Sequence, residues 1–317
     1  MSRIELPALR ADNVLGFLAG CGVLCVIAED LGDRDATLCW PDGAYGPAVV
    51  STPLAPDHDQ LSEVLFQVVE TLRLDGQLIP GVDALPLASP KGGDPMNSLS
   101  FEDGRRLSDF VADGIEAQRW LVSMVGLTIE GDNGTLERSK WWNVGPGPVT
   151  ISGTLAKSME PIVDAHSIRG ALSAWRRHDW VGGYLDQAAD VGKERVAGTR
   201  SKDYGVKAGV VGATWLALMA TRLFVDRATS DDSHETVGWS SVNRKSVFTY
   251  PVWNRPLDLS AVRVLVDHPL LDTSRVGRMD PSALSVVEVR RSTRVRSGNN
   301  NGAMTPAERI WPNNIEK

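Results

Sequence analysis

One apolar stretch near the start of this 317-residue chain decides its fold: Val14-Leu-Gly-Phe-Leu-Ala-Gly-Cys-Gly-Val-Leu-Cys-Val-Ile-Ala28. Its larger side chains recur every three or four positions, which predicts a helix that Asp12 or Asn13 caps and that continues to about Glu29. The run has fifteen residues, and a membrane-spanning helix needs roughly 20. We expect no secretory signal, because the run lacks a basic leader and a small-residue cleavage site. We therefore interpret it as a core helix of a globular protein.

The pattern around this helix alternates between helix-like and strand-like segments. It predicts an α+β fold of mixed helices and short strands, with room for a C-terminal subdomain of helices and strands. The extended segments expected are Arg3–Leu6, Ala36–Trp40, Val125–Glu130 and Phe248–Arg255, and the further helices are Asp59–Leu74, Arg105–Met124, Ile162–Trp175, Val206–Val225 and Ser260–Asp267. Residues 75–104 are rich in Gly, Pro, Asp and Ser, which is typical of a long loop or linker.

Charge is divided unevenly along the chain. Residues 1–103 hold five Lys and Arg against sixteen Asp and Glu, a net charge of −11. Residues 104–317 hold 28 against 24, a net charge of +4. We therefore predict an acidic N-terminal α+β region, residues 1–103, and a basic C-terminal α+β region, residues 104–317. A mildly acidic protein with one concentrated cationic edge can bind a polyanion there and contact other proteins elsewhere.

The three cysteines point to a reducing compartment. Cys21, Cys25 and Cys39 are odd in number and lie in apolar surroundings. We interpret them as reduced core thiols of a cytoplasmic protein, since no CxxC pair or fourth metal ligand at a familiar spacing accompanies them. No cofactor-binding motif or nucleophile elbow is present either, so we expect no cofactor, no membrane association and no enzyme activity.

The positive charge is densest in Ser285-Val-Val-Glu-Val-Arg-Arg-Ser-Thr-Arg-Val-Arg-Ser297. Alternation predicts a strand with valines on one face, interrupted by Arg291, and with Arg290, Arg294 and Arg296 on the other. Arginine binds phosphate in a bidentate manner, which favours contact with a nucleic-acid backbone. The polar tip that follows, Gly298-Asn299-Asn300-Asn301-Gly302, can approach phosphates or base edges. The alternative is that these charges protect an exposed sheet edge.

Two further groups pair cations with possible nucleic-acid contacts. In the first, Lys140-Trp141-Trp142, one indole can stack on an unpaired base while the other packs inside, because neighbours on a strand face opposite ways. Both indoles can equally be core residues. In the second, Arg176 and Arg177 follow a predicted helix, where cations are favoured by the helix dipole or line a nucleic-acid groove.

The pair His178-Asp179 allows an enzymatic alternative. Together with His166 it would supply ligands for a divalent metal that activates water, as in a metal-dependent phosphohydrolase or nuclease. His166 lies twelve residues earlier, which places it about 120° around a continuous helix. The two imidazoles would then converge only if the helix breaks between them. Polar surface groups are the simpler interpretation.

Two stretches carry a resemblance to a known family. Asp12-Asn-Val-Leu-Gly-Phe-Leu-Ala-Gly-Cys-Gly-Val-Leu24, followed by Leu38-Cys-Trp40, resembles the opening helix and Trp-ending strand of proteins from type I-G (formerly I-U) CRISPR–Cas loci. Phe248-Thr-Tyr-Pro-Val-Trp-Asn-Arg-Pro-Leu-Asp-Leu-Ser-Ala-Val-Arg263 resembles their later "W-P-x-W-x-x-P-L" segment and helix. Their C-termini also tend to carry an Arg-rich strand, as here at Arg290–Arg296.

The resemblance implies a non-catalytic, large-subunit-like component of the RNA-guided antiviral surveillance complex, Cascade. Such subunits help to recognise the motif beside the DNA target, support strand separation in the R-loop and stay near one end of the CRISPR RNA, while guide pairing reads sequence. The implied partners are CRISPR RNA, target DNA, other Cascade subunits and a helicase-nuclease recruited after target binding. A protein-only scaffold is the third alternative. Under the implied role the acidic region would face protein neighbours.

Overall fold

The computed structural model describes residues 1–76, 99–130, 135–142, 151–179, 208–228, 234–271, 280–297 and 300–312. These residues form an α+β fold in which helices pack against small antiparallel sheets, as the sequence predicts. The helices are α1 Val14–Cys25, α2 His58–Asp75, α3 Phe101–Phe110, α4 Ile115–Met124, α5 Ile151–Met159, α6 Ala165–Ser173, α7 Ala213–Met219 and α8 Leu259–Val266. The strands are β1 Ser2–Arg10, β2 Thr37–Cys39, β3 Pro47–Thr52, β4 Val125–Glu130, β5 Leu136–Arg138, β6 Arg177–Asp179, β7 Ala208–Val210, β8 Asp226–Ala228, β9 His234–Thr236, β10 Trp239–Val242, β11 Lys245–Trp253, β12 Leu257–Asp258, β13 Val286–Ser297, β14 Asn300–Met304 and β15 Glu308–Trp311.

Helix α1 lies in the centre of the protein. All of its residues are buried, which explains why its sequence is apolar on every side rather than on one stripe. The Asn13 side chain caps the helix by accepting a hydrogen bond from the Leu15 amide at 2.8 Å. A Cβ added at Gly22 would collide with the backbone carbonyl of Leu216 in α7. Glycine is therefore what allows α1 and α7 to approach each other closely.

The end of α1 departs from α-helical geometry. Residues Val26–Asp30 form a π-helical turn in which the Leu31 amide donates to the Val26 carbonyl at 3.0 Å. The wider turn carries two neighbouring acids, Glu29 and Asp30, out of the apolar helix and into contact with other elements. Short π-helical insertions are often found at functional sites.

The first sheet has the antiparallel order β1-β3-β2-β12. Strands β1 and β3 pair with Ile4 opposite Val50, and the two-residue strand β12 joins β2 with Leu257 opposite Leu38. The sheet therefore contains residues from both the acidic and the basic part of the sequence. The predicted division after residue 103 falls inside α3, and one hydrophobic core contains buried residues from both sides of it.

The second sheet has the order β10-β11-β13-β14, and β15 also pairs with β13. The Arg-rich strand β13 is hydrogen-bonded to β11 along one side and to β14 and β15 along the other. It is therefore an interior strand of its sheet. The alternative of a charged strand protecting a sheet edge does not hold for Arg290 and Arg291, which have paired strands on both sides, whereas Arg294 and Arg296 are paired with β14.

An aromatic cluster joins the first sheet, α1 and the second sheet. The Phe17 ring stacks on Tyr250 at a centroid distance of 4.3 Å and on Trp40 at 5.4 Å. The Trp253 ring meets Trp40 edge to face at 4.9 Å, and its indole N–H donates to the Leu38 carbonyl at 2.6 Å. The polar edges of these buried rings are therefore satisfied by backbone while their faces fill the core.

Several element boundaries differ from the sequence-based expectation. The predicted helix Arg105–Met124 is two helices, α3 and α4, separated by a turn at residues 111–114. The predicted helix Val206–Val225 starts later, because Gly212 takes a left-handed φ of 79° before α7. Helix α8 is capped by Asp258, whose carboxylate accepts from the Ala261 amide at 2.8 Å, and not by Ser260.

The apolar helix α1 is not a candidate for a membrane-spanning helix. Within the described ranges, no helix is both long and apolar enough to cross a bilayer.

Cys21, Cys25 and Cys39 are buried and unpaired, as the core interpretation requires. Burial raises the pKa of the Cys25 thiol to about 12 and raises the pKa of Cys21 as well, so both thiols stay protonated at neutral pH.

Candidate nucleic-acid interface

Strand β13 buries the face that the sequence assigned to nucleic-acid contact. Arg290 is 2% exposed and Arg294 is 6% exposed. Arg291, on the opposite face, is half-buried. The prediction of an accessible row formed by Arg290 and Arg294 is therefore wrong in geometry. The alternation holds for Arg290 and Arg294, but both side chains point into the protein because other elements cover them; the Arg296 side chain lies outside the described residues.

Arg290 has partners from the loop between β2 and β3, from β13 itself and from the segment before β15. Its guanidinium lies 4.8 Å from the Tyr45 ring centroid, its Nε donates to Glu288 at 2.9 Å, and its Nη1 donates to the Ala307 carbonyl at 2.8 Å. Burial opposes the charged form, but hydrogen bonds and the Glu288 charge outweigh it and raise the pKa of Arg290. This arginine joins the two sheets and is occupied by protein groups.

Arg294 has fewer polar partners than Arg290 to compensate for the burial of its charge. Its guanidinium lies 4.4 Å from the Trp239 ring centroid, and its Nη1 donates to the Lys140 carbonyl at 2.6 Å. Desolvation lowers the pKa of Arg294 to about 10. The ring and one carbonyl replace the water that an exposed guanidinium would have. Arg294 therefore stabilises the packing of β13 on β10 and on residues 139–142.

Arg291 is the described arginine of this strand that reaches solvent. Its Nε and Nη2 atoms donate to one carboxylate oxygen of Glu308 at 2.8 and 2.6 Å. Glu308 belongs to β15, which pairs with β13. Three arginines of β13 have described side chains, and each contacts a different set of protein groups. They therefore do not form one continuous surface.

The end of the β13–β14 ribbon does bring predicted contact residues together. Arg296 pairs across the two strands with Asn301, and Ser297 pairs with Asn300. Asn299 lies outside the described residues. Asn300 and Asn301 are thus the first residues of β14, and Asn301 lies directly opposite Arg296 in the β13–β14 ribbon.

The tryptophan pair is buried and cannot stack on a base in this conformation. Trp141 is 3% exposed and Trp142 is 2% exposed. Trp141 packs edge to face against Phe248 and Trp239, with centroid distances of 4.7 and 5.0 Å. The core interpretation applies to both indoles, because residues 139–142 form a turn and not an exposed strand. Lys140 is half-buried beside them.

A groove of about 690 Å³ runs beside α6. It is lined in part by His166, Arg169 and Arg176, and Arg169 pairs with Asp59 at 2.9 Å. Arg176 is exposed and stands three residues beyond the end of α6, whereas Arg177 is the first residue of β6. The structure therefore places the Arg176 side chain in a groove, and the Arg177 side chain lies outside the described residues.

The described residues do not supply a set of metal ligands for the alternative of a metal-dependent enzyme. Helix α6 ends at Ser173 and His178 belongs to β6, so the break needed between His166 and His178 does exist. However, no group of three or more His, Cys, Asp or Glu residues able to hold a metal ion occurs in the part of the chain that the structure describes.

Sequence reasoning missed an ion cluster around Glu29, which is 4% exposed in its side chain. Arg119 from α4 contacts one oxygen of this carboxylate at 2.6 Å, Arg263 from α8 contacts the same oxygen, and Arg222 lies 3.2 Å from the other. Burial raises the pKa of Glu29, but the charges of Arg222 and Arg263 outweigh it, so its pKa is lowered. Arg222 is itself buried and also contacts both oxygens of Asp30 at 3.2 and 2.9 Å.

One sequence signal pointed toward this cluster. Glu29 and Asp30 directly follow a helix that had to be buried, and a buried acid requires a basic partner. The partners themselves were not predictable, because they lie between 90 and 234 positions away from Glu29.

A scan against protein-family models finds no match for this chain, and neither does a search of curated proteins.

Proposed function

We propose that this chain is a non-catalytic, nucleic-acid-binding subunit of a type I CRISPR RNA-guided surveillance complex. The observation that supports the proposal is the packing of the two segments that carry the resemblance. Phe17 and Trp40 come from the first segment and Tyr250 and Trp253 from the second, and the four rings form one cluster. The two segments that carry the resemblance are more than 200 positions apart in the sequence and pack together in one structural unit.

The proposed contact with DNA is the end of the β13–β14 ribbon. A two-stranded ribbon fits the major groove of duplex DNA, where Arg recognises guanine and Asn recognises adenine through paired hydrogen bonds. Arg296 and Asn301 face each other in register at this end. The ribbon tip is therefore the proposed reader of the short motif beside the target.

The rest of the ribbon has a supporting role in this proposal. Arg290 and Arg294 do not contact phosphate but hold β13 against Tyr45 and Trp239, which makes the ribbon a rigid support. The acidic surface of the N-terminal part faces other Cascade subunits, and the complex works in the cytoplasm. Guide RNA, target DNA and the later helicase-nuclease are the partners of this proposed assembly.

The first experiment asks what the chain binds when it is produced with its neighbouring gene products. Co-purification of an RNA of CRISPR length together with partner subunits is the expected result. Purified protein with no salt-sensitive DNA or RNA binding, alone or in that mixture, would favour the protein-only scaffold. Mn²⁺- or Ni²⁺-dependent cleavage that His178→Ala abolishes would favour the enzyme.

The second experiment tests the ribbon tip by measuring DNA affinity against salt concentration. Arg296→Ala should lower the slope of log affinity against log salt by about one, because a cation that neutralises phosphate charge is lost. Asn301→Ala should leave that slope unchanged and relax sequence preference by about 1–3 kcal/mol at one base pair. Arg291→Ala is the matched control, since its guanidinium is already paired with Glu308. Equal effects in Arg291→Ala and Arg296→Ala would remove the tip from the interface.

A further inference from the structure

A small pocket opens beside the Glu29 cluster, and arginines supply much of its wall. It has a volume of about 140 Å³ and is lined by Ala28, Glu29, Arg34, Arg119, Leu259, Ser260 and Arg263. We call it the arginine pocket. Its wall comes from the π-helical turn, the loop after it, α4 and the start of α8. Three stretches far apart in the sequence, at residues 28–34, 119 and 259–263, therefore build one cationic depression.

The charge around the arginine pocket is not balanced. Four guanidinium groups, those of Arg34, Arg119, Arg222 and Arg263, lie in the pocket wall or contact its carboxylate, and they face two carboxylates, Glu29 and Asp30. The pocket lining itself holds three arginines and one carboxylate, a formal excess of two positive charges. Two further carboxylates keep their negative charge outside this lining: Asp258, which caps α8, and Asp33, which accepts from the Thr52 hydroxyl at 2.6 Å.

The pocket also has hydrogen-bond donors that no protein group uses. Each guanidinium carries five N–H donors. Arg119 and Arg263 each donate a hydrogen bond to the same oxygen of Glu29. Arg34 is exposed, and within the described residues its guanidinium makes no hydrogen bond or ion pair, while its backbone N–H donates to the Gly32 carbonyl. The Ser260 hydroxyl adds a further polar group at the rim.

We propose that the arginine pocket binds one phosphate group of a nucleic-acid strand. Planar guanidinium forks match the oxygens of phosphate, and a cluster of them is the usual means of binding it. The pocket is too small for a whole nucleotide, so the sugar and base would lie outside it. Glu29 fixes Arg119 and Arg263 from behind and leaves Arg34 and the outer donors for the ligand.

This inference rests on the proposed function only for the source of the phosphate, and the pocket can be tested separately with inorganic phosphate. Arg34→Gln is the variant of choice because it removes an unpaired guanidinium and leaves the Glu29 contacts in place. Arg244→Gln is the matched control: it makes the same charge change at another exposed arginine, in the β10–β11 turn. Ser260→Ala is a second, milder variant at the rim.

The measurement is titration of each protein with inorganic phosphate, followed by a single-stranded oligonucleotide, at fixed ionic strength. Arg34→Gln should weaken phosphate binding about tenfold, the effect of one charge-assisted hydrogen bond. It should also lower the salt slope of oligonucleotide binding by about 0.7, the value for one single-strand phosphate. Ser260→Ala should weaken binding less, and Arg244→Gln should match the wild type.

The outcomes separate the pocket from the proposed function. Oligonucleotide binding that Arg34→Gln leaves unchanged would overturn the pocket and spare the proposed function. Phosphate binding that depends on Arg34 in a protein that binds no oligonucleotide would overturn the nucleic-acid source and the proposed function together. Loss of phosphate binding that is equal in Arg34→Gln and Arg244→Gln would overturn the site, because it would report net charge alone.

Discussion

The arginines of β13 are close together in the sequence but have separate contacts in the structure, whereas the arginines around Glu29 are far apart in the sequence but share one contact. Arg290, Arg291 and Arg294 are neighbours in the sequence, yet each contacts a different set of groups. Arg119 and Arg263 are 144 positions apart, yet they meet at one carboxylate oxygen. A cluster of charges in a sequence therefore does not establish a charged surface, and a charged pocket can form from residues that look isolated.

We expect the largest effect on stability at Glu29, the carboxylate that the arginines of the Glu29 cluster share. Glu29→Gln should lower the free energy of unfolding by about 3 kcal/mol, because it leaves the buried Arg222 with less compensation. Chemical denaturation measures this change. Glu63→Gln, at an exposed position of α2, is the control and should change stability by less than about 0.5 kcal/mol. Equal stability of Glu29→Gln and wild type would mean that the cluster is not a structural centre.

The two faces of β13 should respond very differently to the same substitution. Arg290→Ala should cost about 2–4 kcal/mol of unfolding free energy, because it leaves Glu288 partly buried without its cation. Arg291→Ala, one position later, should cost at most about 1 kcal/mol, because its ion pair with Glu308 is partly solvated. Similar losses in the two variants would contradict the burial that separates the faces.

Acid should weaken the Glu29 cluster in a defined direction. The pKa of Glu29 is lowered from 4.5 by its arginines, so its carboxylate stabilises the folded protein above that pH. This contribution is lost as the pH falls through the lowered folded-state pKa. The stability difference between wild type and Glu29→Gln should therefore shrink as the pH falls below about 4.5. A difference that stays constant with pH would assign the effect to packing instead.

The smallest effect on stability is expected at the rim of the arginine pocket. Arg34 is exposed and unpaired within the described residues, so Arg34→Gln should change the unfolding free energy by no more than about 0.5 kcal/mol. The same variant should weaken phosphate binding. A variant that loses stability as well as affinity would show that Arg34 belongs to the structural cluster and not to a binding site.

Much of the fold was predictable because it depends on local patterns. The apolar run at Val14–Ala28 specified a buried helix, and Asp57 and Gly76 mark the ends of α2 by side-chain capping and a left-handed φ. The predicted strand Val125–Glu130 has the bounds that the structure gives to β4. Each of these features is set by residues within a few positions of one another.

The candidate sites were predictable only in part. Alternation on β13 correctly placed Arg290 and Arg294 on one face, but alternation says nothing about which face is covered. The loop at Tyr45 and the ring of Trp239 decide that, and both come from other parts of the chain. The burial of Trp141 has the same origin, since its ring contacts include Phe224 and Phe248.

By itself, the sequence determined that this protein has a buried apolar helix, an α+β fold, reduced core thiols and an arginine-rich strand. These properties follow from composition and from periods of two and 3.6 residues, which are local. The tertiary structure alone decided that β13 is an interior strand and that Arg119, Arg222 and Arg263 converge on Glu29. Burial and charge pairing arise between segments that are distant in the chain, so no local pattern contains them.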